Sequence, residues 1–321
     1  MVLRRTFLAG AALVFAPRRR AAAEAPRRIG ILAQDLQPGL LDTFRAGLGD
    51  FGYEDGKNVA LLLRNAEGHS ERLAAMAADL IANKVEIILA INTVAAKAAQ
   101  KATSTVPIII MRVADPIKSH LIQSLARPGG NITGLYFMPD VLGAKGVELL
   151  HETLPKVSRV GALYSGDNPG GLIVVEETER RCMQLGIAFT RLPVKNAEDD
   201  KLALEKAAGI AIEALFVMDD GAVTKRRRDI LDLATAHRLP VVSIYRDFAD
   251  AGALFAYGPS LPAMYRRGGY FVDRLLKGAA PQTLPVEQPT KFDLFINLKT
   301  AKSLGIAIPP AVLVRADEVI E

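Results

Sequence analysis

The chain is predicted to fold as an α/β protein of two similar lobes, each built on a parallel sheet. Three observations predict this. Short β-rich apolar runs alternate with Ala-rich amphipathic stretches of helical length, which is the pattern of βαβ units. The alternation runs through five strands and then starts again for five more. Finally, 321 residues, half of them apolar, are enough for two buried cores.

In the first set the strands are expected at 29–32, 59–63, 86–91, 107–111 and 132–137. Between them 40–51, 70–83, 94–102 and 119–126 read as helices. The strands are continuous apolar runs, as expected where helices cover both faces of a sheet. The second set has strands at 160–164, 187–192, 214–218, 240–244 and 253–256, separated by helical stretches at 172–185, 199–208, 222–237 and 248–250. Beyond Tyr257 come a helix at 261–276, a Gly/Pro-rich stretch at 278–289 and a strand at 292–296. A chain that completes two lobes and then continues in this way is expected to cross back between them. Several hinge segments result, an arrangement suited to clamping. The expected divisions are 1–25 as an export signal, 26–137 with 258–288 as the first lobe, and 138–257 with 289–321 as the second.

The N-terminus carries the charged, apolar and small-residue order of a secretory signal: Arg4-Arg5, an apolar run over 7–16, then Ala21, Ala22, Ala23 and Ala25. The run is about ten residues, against ~20 needed to span a bilayer. Arg4-Arg5-Thr6-Phe7-Leu8 also resembles a twin-arginine signal, so both export routes stay open. Ala11 stands where a lipoprotein signal would need cysteine. Residues 1–25 hold five arginines against Glu24, a net +4 of the chain's +5, which leaves +1 for the remainder. A nearly neutral body gives no electrostatic basis for binding nucleic acid. The expected compartment is the periplasm of a Gram-negative cell.

Catalytic signatures are missing. No phosphate-binding glycine loop, nucleophile elbow or His-Glu-x-x-His pattern occurs. One cysteine and four histidines offer no metal cluster, and the absence of tryptophan excludes a tryptophan-walled sugar site. No enzymatic activity, cofactor or metal is expected. Cys182 reads as a structural thiol, and Lys225 to Arg228 as a solvated basic face.

Ligands of open parallel sheets bind beyond the carboxyl ends of the strands. Those ends carry Gln34, Asn92, Thr93 and Asp115 in the first lobe, and Ser165, Asp219, Asp220, Tyr245 and Phe248 in the second, with Tyr257 beside them. Thr93 reads either as a plain helix N-cap or, with the amides behind it, as a carboxylate holder. Asp115, Asp219 and Asp220 read either as caps or as acceptors for a ligand ammonium. Tyr245, Phe248 and Tyr257 are candidates to flank a ring.

An ordered set of motifs then resembles a known family. It comprises Gly52-Tyr53-Glu54-Asp55-Gly56-Lys57-Asn58, Ala114-Asp115-Pro116, Leu125-Ala126-Arg127-Pro128-Gly129-Gly130-Asn131-Ile132-Thr133-Gly134, Tyr257-Gly258-Pro259-Ser260, Leu284-Pro285-Val286-Glu287-Gln288-Pro289-Thr290-Lys291-Phe292 and Ile296-Asn297-Leu298-Lys299-Thr300-Ala301-Lys302. Together these look like the ABC-transporter substrate-binding family that includes tryptophan- and tyrosine-type binders. The resemblance implies two Rossmann-like lobes in the type I periplasmic-binding-protein architecture, with a small carboxylate-bearing ligand in the cleft. That ligand would be an amino acid, aromatic ones included, or an aromatic acid. The resemblance also implies delivery to an ABC permease in the inner membrane by a monomeric protein. In the family pattern the loop at Asn92-Thr93-Val94 usually reads Gly-Thr-Pro, so this chain keeps only the threonine. The main alternative is a ligand-sensing subunit that docks to a membrane receptor.

A reporter fused to residues 1–30 separates the export routes. Replacing both Arg4 and Arg5 by lysine is expected to block export if the twin-arginine route is used. Undiminished export leaves the general secretory route.

Overall fold

The computed structural model describes residues 25–218 and 221–321. The export signal therefore lies outside the described residues, apart from Ala25. The first sheet contains β1 (Arg27–Ala33), β2 (Val59–Asn65), β3 (Ile87–Ile91), β4 (Ile108–Val113) and β5 (Ile132–Tyr136), in the order β2-β1-β3-β4-β5 with all neighbours parallel. Helices α1 (Pro38–Gly49), α2 (Leu73–Ala82) and α3 (Thr93–Ala102) connect them. The chain then passes through α4 (Pro139–Thr153) into the second sheet, formed first by β6 (Arg159–Ser165), β7 (Ala188–Val194), β8 (Ala214–Met218), β9 (Val241–Ser243) and β10 (Phe255–Pro259). Its connecting helices are α5 (Pro169–Gln184), α6 (Ala197–Gly209), α7 (Gly221–Lys225), α8 (Arg227–Ala236) and α9 (Arg246–Ala251).

From β10 the chain returns as α10 (Leu261–Leu276), which packs along α1 and over β4 and β5. Residues near Glu287 then lie beside β5, where Leu135 and Glu287 form a bridge. The chain crosses once more to β11 (Phe292–Asn297), antiparallel to β10, and ends in α11 (Leu298–Leu304), α12 (Pro310–Leu313) and β12 (Glu318–Ile320). The second sheet is thereby extended to seven strands, β12-β11-β10-β9-β8-β6-β7.

Both sheets bury both faces, as the continuous apolar runs require. Neighbouring strand residues enter different clusters because successive side chains alternate across the sheet. Ile31, Met111, Val160 and Phe216 belong to one cluster that runs through both halves. Leu32, Ile88 and Ile110 line the opposite face of the first sheet, and Leu163, Leu215 and Val217 that of the second. No described helix is long and apolar enough to cross a membrane.

Three local expectations need correction. Residues 119–126 form turns, not a helix. His120 has φ +54, and the Leu125 carbonyl accepts from Val286 N–H, so the backbone is turned away from helical bonding. The helix expected at 222–237 is two, broken at Arg226, whose ψ of 9° leaves the helical region. Helix α4 was not foreseen from the sequence; its two glycines face Thr178 and Phe216 and weaken the amphipathic pattern.

The α1–α10 contact has backbone lying on backbone. A Cβ on Gly47 would fall 2.1 Å from the Arg266 carbonyl oxygen, and one on Gly269 2.1 Å from that of Gly47. Gly269→Ala is accordingly expected to lower unfolding free energy by about 1–3 kcal/mol. Urea denaturation checks this, with Gly39→Ala as a control whose added methyl meets nothing within 4 Å.

Candidate functional site

The carboxyl ends of the two sheets face each other, and the first-lobe loops are organised by Gln34. This residue directly follows β1 and has 1% exposure. Its Nε2 donates to Ser70 Oγ at 2.7 Å, and its Oε1 accepts from Asn92 Nδ2 at 2.6 Å. Oε1 also accepts the Gly221 N–H of the other lobe at 3.1 Å. Asn92, not Thr93, is the N-cap of α3. Its side chain accepts from Ala95 N–H, and its φ of +77 suits asparagine better than most residues that could replace the family's glycine. Thr93 is the first helical residue. It is buried, its Oγ1 accepts from Ala114 N–H at 3.3 Å, and it faces Gly170 at the start of α5. The N-termini of α3 and α5 thus meet across the cleft.

A second cluster centres on Arg112. It interrupts the apolar run of β4, has φ +54, and lies where the β4–β5 register slips between Ile110 and Val113. The slip sends its guanidinium over the Tyr245 ring of the other lobe, 4.3 Å from the centroid. Phe137 meets the same ring edge-on at 6.5 Å. Asp35 and Asp247 stand near, and Gln37 Nε2 donates to Asp247 Oδ2. Burial pushes both carboxyls above their usual range. Lys225, Arg112 and Arg227 oppose the rise for Asp35, and Arg227 and Arg112 oppose it for Asp247. Beside Tyr245 and Asp247, near the segments that cross between the sheets, a cavity of about 440 Å³ is lined by Gln37, Leu40, Leu261 and Phe295. That volume lies within the range of small-molecule pockets, roughly 300–1,000 Å³.

The remaining sequence-derived candidates are placed as follows. Ser165 is buried at the end of β6, beside a concavity of about 340 Å³ at the opposite mouth of the cleft that also includes Glu67, Asp167 and Lys195. Asp115 Oδ1 accepts the N–H groups of Ile117 and Lys118, both at 2.9 Å, so this oxygen caps a turn. Phe248 is a correction: it has no exposed surface and packs with Leu163 and Val217 in the second-lobe core, where it cannot flank a ligand. Tyr257 stacks on Phe292 at 5.8 Å. Asp219 and Asp220 lie outside the described residues. Arg112, Asp35, Asp247 and Phe137 converge at the cleft without having been singled out. The available signal was Arg112, a charge inside a strand buried on both faces.

Among the described residues no group of three or more His, Cys, Asp or Glu could hold a metal ion. Burial pushes the Cys182 thiol up to about 12, which makes it inert as a nucleophile.

The sequence model of a family described as "ABC transporter substrate binding protein" matches residues 32–320. A tyrosine-binding protein of Clostridioides difficile is 26% identical over 286 residues, 87% of this chain and 81% of the relative. A solved ABC domain from Streptococcus pneumonia, in complex with L-Trp, is 27% identical with a TM-score of 0.86, covering 92% of this chain and all of that one. A ligand-free, open substrate-binding protein with adhesive properties from Clostridium difficile is 25% identical and covers 92% and 99% of the two chains, with a TM-score of 0.68.

The raised carboxyls give a pH test. A carboxyl whose folded pKa exceeds its usual 3.8 contributes stability that is full below that value and is lost as pH rises through the folded pKa. The unfolding free energy of wild type minus that of Asp247→Asn should therefore fall as pH rises above about 4, as followed by denaturant titration. A difference that grows with pH would mean that Arg227 and Arg112 outweigh burial.

Proposed function

Because the chain belongs to the ABC transporter substrate-binding protein family and has the fold of type I periplasmic binding proteins, we propose that it delivers a small carboxylate-bearing ligand to an ABC importer. The ligand class is an amino acid with an aromatic side chain or a related aromatic acid. The observation that carries this reading is the pairing of opposite charges on opposite lobes around one aromatic ring: Arg112 from β4, Asp247 from the first turn of α9, and Tyr245 between them. Arg112 and the N-termini of α3 and α5 suit a carboxylate. Asp35 and Asp247 suit an ammonium, and Tyr245 with Phe137 suits a ring.

The names of the relatives support the same class, since one binds tyrosine and another was solved with L-Trp. In this reading residues 26–137 with 258–288 move as one lobe and 138–257 with 289–321 as the other. Ligand binding favours the closed arrangement, which a permease of the inner membrane then recognises. The protein acts as an exported monomer in the periplasm and leaves its ligand chemically unchanged. A ligand-sensing subunit for a membrane receptor would use the same cleft with a different docking partner.

The chain contains no tryptophan, so the fluorescence of an L-tryptophan ligand, excited beyond the tyrosine band, is free of protein tryptophan background. Titration of L-tryptophan, L-tyrosine, benzoate and 4-hydroxybenzoate, with calorimetry for the last three, should show one site per chain. Arg112→Met should weaken that site by about 1.5–3 kcal/mol, the loss of a hydrogen bond to a charged group. Tight binding confined to neutral molecules without a carboxylate would overturn the assignment, as would recovery of a chemically altered ligand.

A further inference from the structure

Gln34, an expected ligand contact, has its acceptor capacity spent inside the protein. Both lone pairs of Oε1 are engaged, one by Asn92 Nδ2 of its own lobe and the other by Gly221 N–H of the opposite lobe. Ser70 holds the amide nitrogen at 2.7 Å and so fixes which way the oxygen points. The side chain is therefore set by the first lobe before the second arrives.

The residue it meets is a glycine, and a side chain there would strike the other lobe. A Cβ on Gly221 would lie 2.6 Å from Asp35 Cβ and 2.9 Å from Asp35 N. The three atoms nearest to such a Cβ all belong to Gln34 and Asp35 of the opposite lobe. At Gly170 a Cβ would lie 2.3 Å from Thr93 Oγ1 across the cleft, closer than the 3.2 Å to Asn168 Oδ1 of its own lobe, and its φ is not positive. Cross-lobe contacts flank both points, Lys225 Nζ to the Glu67 carbonyl at 2.8 Å and Lys118 Nζ to Glu177 at 3.0 Å. The lobe arrangement fits the L-Trp complex better than the ligand-free open structure, with TM-scores of 0.86 and 0.68 at the same 92% coverage of this chain.

We propose that Gln34 is a positioning residue for lobe closure: it latches onto the backbone of Gly221, and Gly170 and Gly221 admit the contact, so the closed form is held by protein groups alone. Closure without ligand raises the population of the competent form and with it the apparent affinity. This proposal rests on the binding-protein reading only for its biological purpose, since the latch itself needs no ligand.

Energy transfer between labels at Lys57→Cys in the first lobe and Leu202→Cys in the second tests it. Native Cys182 is buried with its thiol raised to about 12 and is left unlabelled. In the ligand-free protein, Gly221→Ala, Gly170→Ala and Gln34→Leu are each expected to lower transfer. Gly171→Ala, whose methyl meets nothing within 4 Å, should leave it unchanged. Circular dichroism melting of each variant separates opening from unfolding. With L-tryptophan, Gln34→Leu should speed dissociation about fivefold, the loss of one ordinary hydrogen bond, and leave association unchanged. Wild type that matches the two alanine variants in transfer would overturn the latch, as would alanine variants that match Gly171→Ala. Absence of L-tryptophan binding with the transfer pattern intact would count against the ligand class and leave the latch standing.

Discussion

Parallel strands covered by helices on both faces leave polar side chains almost nowhere to go except the strand ends. The other features of this molecule follow from that constraint. The strand interiors are filled by Ile, Leu, Val and Ala, so the groups able to recognise a ligand accumulate at the carboxyl edges of two sheets. Because the chain crosses between the sheets near Pro139, Ser260 and Lys291, those edges are held facing one another. Recognition chemistry is thus collected into one cleft by topology before any particular residue is chosen.

Arg112 shows what it takes to place a charge against this constraint. A regular β4 would bury the guanidinium among helices, where an ion is costly. The left-handed backbone at residue 112 and the slipped register let the side chain leave the sheet and reach an aromatic face and two desolvated carboxyls. The arginine offsets part of the burial cost of the two carboxyls, while Asp247 adds to that of Asp35, so the cluster has to be understood as a unit.

The fold was legible because it rests on periodicity, which a single sequence displays. The ten strands of the two sets emerged within a few residues of their observed positions, and so did β11. The turns at 119–126 were not legible, because hydrogen bonds to Val286 and Pro128 decide their path, and local propensity carries no record of a partner more than 150 residues away. Within the cleft, Gln34, Asn92 and Thr93 could be found by position at strand ends, but not their partners: the N-cap belongs to Asn92 and the Gln34 acceptor to the protein itself. Phe248 was misread because an aromatic side chain beside a strand end can turn either into the cleft or under the sheet, and only packing decides which. Arg112 was the reverse case, a signal present in the sequence whose destination required the register slip.

The glycine contact between α1 and α10 has a bearing on how the molecule is assembled. Helix α1 ends at residue 49, and the surface it must lie against is not made until residue 276 has been synthesised. The β6–β10 sheet, by contrast, can pair strands from one continuous stretch of chain. The emerging chain must therefore carry the apolar side of its first sheet uncovered while the second half is made, with Phe44 and Met111 open to chaperones or to a neighbouring chain. Long-range closure of this kind slows folding. A nascent or truncated chain that stops short of α10 would present a nearly finished sheet with its cover missing, a state that quality control can tell from the native one.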